Sequence, residues 1–138
     1  MAYNLMDYSP GVLEHYEHPR NAGDLPDADA VATVENPACG DTMRLALRIE
    51  AGRVTEARFR TYGCAAAIAA SSVTTELLVG RTLEEARAIT GREVAEALGG
   101  LPPRKLHCSV LAKDAIRAVM DSYRRGEEEA GRQSGKKH

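Results

Sequence analysis

Hydrophobic and polar residues alternate along the middle of the chain with a period of two. Apolar side chains occupy every second position between residues 43 and 49, and the same alternation returns between residues 57 and 62. This pattern is typical of strands that bury one face. Residues 31–35 form a shorter β-branched run, and Ala51-Gly52-Arg53 supplies a turn between the two longer runs. The pattern predicts a three-stranded antiparallel sheet, a meander in which consecutive strands are neighbours.

The period changes to that of a helix after Gly63-Cys64. Residues 65–79 begin with a stretch rich in alanine and serine, so a helix there can pack closely against the sheet. Thr82 with Glu85, and Thr90 with Glu93, have the spacing of capping boxes and predict two short helices. The last helix has one apolar stripe along its length. Its members are Leu111, Ala112, Ala115, Ile116, Val119, Met120 and Tyr123.

Prolines limit the first and the last helix. Ser9-Pro10 combines a capping side chain with a proline suited to the first helical position, and His18-Pro19 ends that helix. The histidines of this helix, His15 and His18, have glutamate neighbours and are interpreted as solvated polar residues rather than metal ligands. Pro102-Pro103 delays the last helix until Leu106 or His107.

Strands precede most of the helices, which predicts an α+β fold with helices on one face of the antiparallel sheet and a long C-terminal helix. Hydrophobic residues make up 43% of the chain and charged residues 28%, with a net charge of -2. This ordinary balance gives no indication of nucleic-acid binding. We expect one domain at residues 1–125 and a charged, disordered tail at residues 126–138. Without a secretory signal or an apolar run of roughly 20 residues, we expect a cytoplasmic protein with no membrane contact.

The three cysteines each lie at a boundary between predicted elements. Cys39 lies in a loop between strands, Cys64 where a strand gives way to a helix, and Cys108 where a loop becomes the last helix. An odd number of cytoplasmic thiols argues against a disulfide framework. Asp41 follows Cys39 by two residues, and His107 directly precedes Cys108. Three soft sulfur ligands with one harder ligand suit zinc or an iron–sulfur cluster.

Two of the cysteines are predicted at helix N-termini. There the unpaired backbone N–H groups and the helix dipole favour the thiolate of Cys64 and of Cys108. A thiolate is a metal ligand or a sulfur nucleophile, whereas the alternative for Cys108 is a small buried apolar side chain. The wide spacing of the cysteines does not match zinc knuckles or ribbons. The prediction of a site therefore depends on their shared placement at element boundaries.

Four segments resemble a known family. They are residues 16–21, which end in His-Pro-Arg-Asn; residues 36–41, Asn-Pro-Ala-Cys-Gly-Asp; residues 59–64, Phe-Arg-Thr-Tyr-Gly-Cys; and residues 101–109, from Leu-Pro-Pro to His-Cys-Ser. Together they resemble the U-type iron–sulfur cluster assembly scaffolds, the IscU family, which also forms the N-terminal domain of NifU. The resemblance extends from about Tyr8 to Tyr123.

The resemblance implies a scaffold, not an enzyme, for a transient [2Fe-2S] cluster. The cluster would be built from iron and from sulfur that a cysteine desulfurase delivers as persulfide, and would then pass to apo iron–sulfur acceptor proteins. By motif position, Cys39, Cys64 and Cys108 would be the thiolate ligands, with Asp41 and His107 as candidates for the fourth place. In the family the aspartate makes the cluster labile. Zinc would occupy the same ligands in purified protein.

The segment before Cys108 has a second implication. In the family, the proline-containing approach to the last cysteine is a docking peptide for an Hsp70-type chaperone, which works with an Hsp40-type partner. The implied docking residues here are Leu101, Pro102, Pro103 and Lys105. Arg104 replaces the valine of the best-known members. This departure bears on affinity for the chaperone and leaves the ligands unaffected.

Two other functions fit the residues. A sulfurtransferase-like enzyme would accept persulfide on one activated cysteine and pass the sulfur to a small molecule or RNA, but the chain has no phosphate-binding glycine loop or basic patch for such a substrate. A structural zinc protein would use the ion to hold the three cysteine loops together. Anaerobic reconstitution separates these hypotheses, because only the scaffold is expected to form a coloured cluster that moves to an apo-ferredoxin.

Overall fold

The computed structural model describes the backbone of residues 8–37 and 40–137, and the side chains of the last helix as far as residue 126. Within these ranges the chain forms three strands and five α-helices. In chain order they are α1 (Pro10–Glu17), β1 (Ala30–Glu35), β2 (Thr42–Glu50), β3 (Arg53–Tyr62), α2 (Ala65–Leu78), α3 (Leu83–Arg87), α4 (Gly91–Ala97) and α5 (His107–Lys137). A 3₁₀ turn at Pro103–Lys105 directly precedes α5.

The sheet is an antiparallel meander with the strand order β1-β2-β3. Met43, Leu45 and Leu47 of β2 are fully buried, and Leu45 lies between Ala32 of β1 and Phe59 of β3. Helix α5 packs on β1 and β2, and α2 packs on β3. The predicted α+β fold, with helices on the buried face of the sheet and a long C-terminal helix, is therefore confirmed.

Arginines cover the opposite face of the sheet. Asp24, in the loop before β1, accepts hydrogen bonds from Arg44 at 3.1 Å and from Arg60 at 2.6 Å. The Arg60 guanidinium holds the pKa of the Asp24 carboxyl below its usual range. Glu56 binds Arg58 in a similar pair at 2.9 Å. The Asp24 contacts fasten the loop before β1 to the strands, on the face away from the helices.

Helix α1 begins and ends where the sequence predicts. The side-chain oxygen of Ser9 accepts a hydrogen bond from the Val12 backbone N–H at 3.1 Å, and Pro10 occupies the first turn. The helix ends at Glu17, directly before His18-Pro19. Local capping chemistry therefore sets both ends of this helix.

His15 differs from the prediction that it is solvated. Its side chain is only 12% exposed, and its Nε2 lies 3.4 Å from Glu76 Oε1. Its Nδ1 lies 2.7 Å from Ser72 Oγ, which also accepts a hydrogen bond from the Arg20 backbone N–H. Burial lowers the pKa of His15. The prediction for His15 is wrong because the imidazole faces α2, whereas His18 is exposed as predicted.

Threonines cap the two short helices as predicted. Thr82 Oγ1 accepts a hydrogen bond from the Glu85 backbone N–H at 3.1 Å, and the Glu85 carboxylate accepts one from the Thr82 backbone N–H at 3.0 Å. Thr90 Oγ1 accepts a hydrogen bond from the Glu93 backbone N–H at 3.0 Å and caps α4. Gly99, at a φ of +83°, follows the end of α4 in a conformation that glycine adopts readily.

Helix α2 lies between α1, β3 and α5, so even its hydroxyl side chains are buried. Thr75 Oγ1 donates a hydrogen bond to the Ser72 carbonyl at 2.7 Å and accepts one from Asn21 Nδ2 at 3.0 Å. Thr74 Oγ1 is also buried, but it has no hydrogen-bond partner among the described residues. An unpaired buried hydroxyl lowers stability, so Thr74 is a weak point of this helix.

We expect Thr74→Val to raise the free energy of unfolding by about 1 kcal/mol, because valine keeps the branched shape and removes the unpaired hydroxyl. The matched control is Thr75→Val, which removes the hydrogen bonds to Ser72 and Asn21 and should lower the same free energy by about 1–2 kcal/mol. Urea unfolding followed by circular dichroism measures both changes. Equal destabilisation by the two substitutions would show that the Thr74 hydroxyl is paired in solution.

The apolar stripe of α5 is buried against the sheet, as its spacing predicts, and Leu111, Ala115 and Ile116 are at most 3% exposed. The backbone of α5 is helical to Lys137, although the sequence predicts disorder from residue 126. Glutamate, arginine, glutamine and lysine in that segment are good helix formers, which favours a helix despite its glycines. The division into a domain at residues 1–125 and a tail at residues 126–138 stays a prediction. None of the described helices is long and apolar enough to cross a membrane.

Candidate metal centre

Three loop ends meet beside the first residue of β2. Asp41 directly precedes β2, Gly63-Cys64 connects β3 to α2, and His107-Cys108 begins α5. Thr42 pairs with Tyr62, so the residues that flank this pair on the two strands remain neighbours. Of the predicted ligands, Asp41, Cys64, His107 and Cys108 are brought together. Cys39 lies outside the described residues.

Two sets of donor atoms, which share Asp41 and Cys108, lie close together: one includes Cys64 and the other includes His107. Cys64 Sγ lies 3.7 Å from Cys108 Sγ and 3.9 Å from Asp41 Oδ2. One donor atom from each of Asp41, His107 and Cys108 lies within 4.8 Å of the other two. Two thiolates at about 2.3 Å from a tetrahedral ion stand roughly 3.8 Å apart. The two sulfur atoms therefore already have the separation that a common metal ion requires.

The site is buried on one side and open on the other. Cys108 is fully buried and Asp41 is 8% exposed, whereas Cys64 and His107 are partly exposed. Burial of Cys108 agrees with the alternative of a small apolar side chain, but its sulfur contacts another thiol and lies within reach of a carboxylate and an imidazole. A closed core position would not assemble these donors, so the geometry favours a binding site.

The two thiols affect each other's ionisation. The hydrogen bond from Cys108 lowers the pKa of Cys64, and the Ala67 backbone N–H and the Lys105 ammonium act in the same direction. The same contact with Cys64 raises the pKa of Cys108, and burial raises it further. Cys64 is therefore the first of the two to become a thiolate, as expected of a cysteine at the N-cap of α2.

Lys105 lies beside the thiols. Burial lowers the pKa of its ammonium, but the charge of Cys64 and a hydrogen bond to that sulfur outweigh this effect, so the pKa is raised overall. The 3₁₀ turn at Pro103–Lys105, set by the prolines, turns the side chain toward the site. The family resemblance implies that Lys105 is a chaperone-docking residue. That role stays a prediction, and the contact with Cys64 was not predicted.

The loop that leads into the site is closed by backbone hydrogen bonds. The Asn36 N–H donates to the Asp41 carbonyl at 2.8 Å, and the Gly40 N–H donates to the Asn36 carbonyl at 2.7 Å. Gly40 has a φ of +78°, a left-handed conformation that strains other residues. The backbone thus delivers Asp41 to the start of β2 and leaves its carboxylate directed toward Cys64.

Tyr8 is a neighbour of the site that the sequence did not indicate. Burial raises the pKa of its phenol, the Lys105 charge opposes this, and the charges of Cys64 and Cys108 add to the increase. The residue directly precedes the Ser9 cap of α1, whose side chain donates a hydrogen bond to the Leu98 carbonyl at the end of α4. This hydrogen bond between residues far apart in the sequence holds Tyr8 near the site, and no local sequence motif predicts that position.

Together these features define an α+β domain with a candidate metal site, where two thiols, a carboxylate and an imidazole lie at the ends of loops. The chain belongs to the NifU-like N terminal domain family, whose model matches residues 7–130. The family resemblance carried by the four sequence segments is therefore confirmed.

The relatives are similar over most of the chain. The iron-sulfur cluster assembly scaffold protein IscU of Azotobacter vinelandii is 51% identical over 123 residues, which cover 86% of this chain and 95% of the relative. IscU of Escherichia coli K12 is 47% identical with the same coverage. IscU 1 of Archaeoglobus fulgidus is 52% identical over 119 residues, covering 86% of this chain and 78% of the relative.

Solved structures show the same fold. A NifU-like N-terminal protein from Brucella abortus has a TM-score of 0.64 and 26% identity, covering 90% of this chain and 96% of that one. A structure described as a putative iron-sulfur cluster assembly scaffold protein for the SUF system of Fervidobacterium islandicum has a TM-score of 0.68 at 18% identity. It covers 86% of this chain and 99% of its own, and indicates the fold alone.

Proposed function

We propose that this protein is a scaffold on which a transient [2Fe-2S] cluster is assembled from iron and from persulfide sulfur, and from which the cluster passes to apo iron–sulfur proteins. The observation that carries the proposal is the approach of the Cys64 and Cys108 sulfurs to 3.7 Å, with the Asp41 carboxylate 3.9 Å from Cys64. The similar proteins from Azotobacter and Escherichia are named as scaffold proteins, which fits a role other than catalysis.

The mixture of sulfur, oxygen and nitrogen ligands suits a scaffold that must release its cluster. Thiolates bind iron firmly, whereas the carboxylate of Asp41 is a hard oxygen ligand that exchanges more readily with water or with an acceptor's thiol. His107 lies within the same group and is the other candidate for the fourth ligand. A protein that retains its cluster for electron transfer typically uses four cysteines instead. Mixed donors on a partly exposed site therefore support transfer rather than storage.

Cys39 completes the proposed set of thiolates. It lies two residues before Asp41 in the sequence, and two residues of chain span at most about 7 Å. A third thiolate from this loop is thus within reach of the metal that Asp41 would bind. The sulfur enters when a site thiolate attacks the outer sulfur of the desulfurase persulfide, which forms a new S–S bond and releases the desulfurase cysteine as a thiolate. Each transferred sulfur then needs two electrons to become sulfide, which the ferrous iron and the thiol reductant of the reconstitution supply.

Reconstitution tests the proposed function. Anaerobic apo-protein would be mixed with ferrous iron, a cysteine desulfurase, cysteine and a thiol reductant, and then with an apo-ferredoxin. We expect visible absorption to develop on this protein and to move to the ferredoxin. A protein that remains colourless while retaining zinc would instead support a structural zinc protein. The distance of 3.7 Å between the Cys64 and Cys108 sulfurs also suits a zinc ion. Sulfur transfer to a small molecule without a cluster would support the sulfurtransferase.

The proposed partners include an Hsp70-type chaperone that binds Leu101, Pro102, Pro103 and Lys105, together with its Hsp40 partner. Leu101 and Pro102 are partly exposed, Pro103 is exposed, and the neighbouring Leu106 is 47% exposed. A proline-stiffened segment with exposed apolar side chains binds with a small loss of conformational entropy. Lys105 adds a charge at the end of this segment, although its ammonium also lies beside Cys64.

We expect Lys105→Ala to weaken chaperone binding by about tenfold, because a charged hydrogen bond typically contributes about 1.5–3 kcal/mol. Titration of the chaperone with fluorescently labelled protein measures the affinity, and reconstitution measures cluster yield, which should remain normal. Arg104→Val is the matched control, since it restores the valine of the best-known family members and should not weaken binding. Unchanged affinity in Lys105→Ala would leave Lys105 as a neighbour of the thiols with no docking role.

A further inference from the structure

Asp41 and Gly63 face each other across the end of the sheet. Thr42 pairs with Tyr62 as the last pair between β2 and β3 at this end. In an antiparallel ladder the next residues outward, Asp41 and Gly63, are therefore opposite each other. Side chains at such opposed positions share one face of the sheet and lie in contact with each other.

The space that a side chain would need at Gly63 is occupied by the Asp41 carboxylate. A Cβ atom added to Gly63 would lie 2.8 Å from both Cγ and Oδ1 of Asp41, and 3.2 Å from Cβ of Ala67. Non-bonded carbon atoms normally approach no closer than about 3.5 Å. Ala67 is fully buried in α2, so the Asp41 side chain is the neighbour that would have to move.

The backbone itself does not require glycine at this position. Gly40 and Gly52 have φ angles of +78° and +77°, where other residues are strained, but Gly63 is not among the glycines with positive φ. The feature that excludes a side chain at Gly63 is thus contact with Asp41 and Ala67, rather than backbone conformation.

We propose that Gly63 is a positioning residue for Asp41: its missing side chain provides the space in which the carboxylate stands beside Cys64 and within reach of His107 and Cys108. This inference rests on the proposed role of Asp41 as a metal ligand. A methyl group at residue 63 pushes the carboxylate out of the site while every proposed ligand remains in the sequence. Gly63 therefore acts on the metal through Asp41 and makes no contact with it.

The test measures binding of Co²⁺ alone to the anaerobic apo-protein, from its absorption spectrum and from competition with a chelating dye. Gly63→Ala and Asp41→Ala should each weaken binding by about tenfold, the lower end of the range for disturbed metal sites. The double variant Gly63→Ala/Asp41→Ala should bind as Asp41→Ala does, because the methyl group then has no carboxylate to displace. The control Gly52→Ala strains a distant turn and should leave affinity unchanged.

Three outcomes would overturn the inference. The first is wild-type affinity in Gly63→Ala, which shows that the carboxylate tolerates the methyl group. The second is a double variant that binds tenfold more weakly than Asp41→Ala, which shows that the methyl group acts on Cys64 through the backbone. Wild-type affinity in Asp41→Ala removes Asp41 from the ligands, and both this inference and that part of the proposed function fail. If Asp41→Ala weakens binding and Gly63→Ala does not, only this inference fails.

If Gly63→Ala folds poorly, the thermal unfolding midpoint of the apo-protein tests the inference instead of metal affinity. The inferred clash involves the Asp41 side chain, so adding Asp41→Ala should restore the thermal unfolding midpoint of Gly63→Ala apo-protein toward that of Asp41→Ala. Such a recovery requires no metal and is not expected from a general defect in the β3–α2 connection. A double variant that is no more stable than Gly63→Ala would locate the clash elsewhere and overturn the inference.

Discussion

Cys39→Ser, Cys64→Ser and Cys108→Ser are each expected to prevent stable cluster assembly, with the domain still folded. A hydroxyl group is a poor replacement for a soft thiolate. The structure gives the physical reason for two of the three, because the Cys64 and Cys108 sulfurs are already 3.7 Å apart and neither can be replaced by a neighbouring thiol among the described residues. Cluster yield is measured by visible absorption after anaerobic reconstitution, and folding by circular dichroism.

The three variants should differ in sulfur loading, although they agree in cluster yield. Cys64 is partly exposed and its pKa is lowered, whereas Cys108 is fully buried and its pKa is raised. Persulfide can be counted on each variant by mass spectrometry after incubation with the desulfurase and cysteine. Cysteine-to-alanine variants are the matched controls, since they remove the sulfur without adding a hydroxyl. Normal cluster yield after two of the three cysteines are changed would contradict a three-thiolate site.

The sheet and the helix ends could be predicted because they depend on local patterns. Alternation between Met43 and Ile49 requires only that one face of β2 be buried, and the structure buries that face. The caps at Ser9, Thr82 and Thr90 each join a hydroxyl to a backbone N–H three residues later. Such contacts are encoded within one turn of chain, so a single sequence is sufficient to find them.

The geometry of the site depends on register and helix packing, which the local patterns do not contain. Cys64 and Cys108 are 44 residues apart along the chain, and their placement at element boundaries predicted a common site. It did not predict that Cys108 is buried and Cys64 partly exposed. The clash that excludes a side chain at Gly63 is equally non-local, since it follows from the pairing of Thr42 with Tyr62.

His15 and Lys105 have surroundings that their neighbours in the sequence do not predict. The glutamates beside His15 suggested a solvated residue, but packing of α1 on α2 encloses the imidazole against Ser72. The family resemblance implies a docking role for Lys105 and says nothing of the thiols, but its ammonium lies beside Cys64. In both cases the partner belongs to α2 or its cap, far away in the sequence.

The Asp41 carboxylate has two possible roles, and they predict opposite results for its removal. As a labile ligand it speeds cluster loss, whereas as a turn residue it supports the loop through its own backbone. The structure favours the first role. The loop is closed by the backbone hydrogen bonds between Asn36 and Asp41 and between Gly40 and Asn36, while the Asp41 residue is 8% exposed and its carboxylate faces Cys64.

Asp41→Ala is therefore expected to yield a cluster that still forms and persists longer than in the wild-type protein. If exchange at the oxygen ligand lowers the barrier to cluster loss by about 1.4 kcal/mol, its removal lengthens the lifetime by about tenfold. Cluster absorbance would be followed over time, with and without an apo-acceptor. Transfer to the acceptor should slow by a similar factor, because the exchangeable position no longer admits the acceptor's thiol.

Asp41→Asn is the matched control that separates the two roles. Asparagine caps turns about as well as aspartate but is a neutral, weaker metal ligand. A ligand role therefore predicts that Asp41→Asn resembles Asp41→Ala, with a long-lived cluster and an unchanged melting temperature. A turn role predicts that Asp41→Asn resembles the wild type, while Asp41→Ala loses about 1 kcal/mol of stability. Faster cluster decay in Asp41→Ala, together with a lower melting temperature, would leave Asp41 as a residue of the turn.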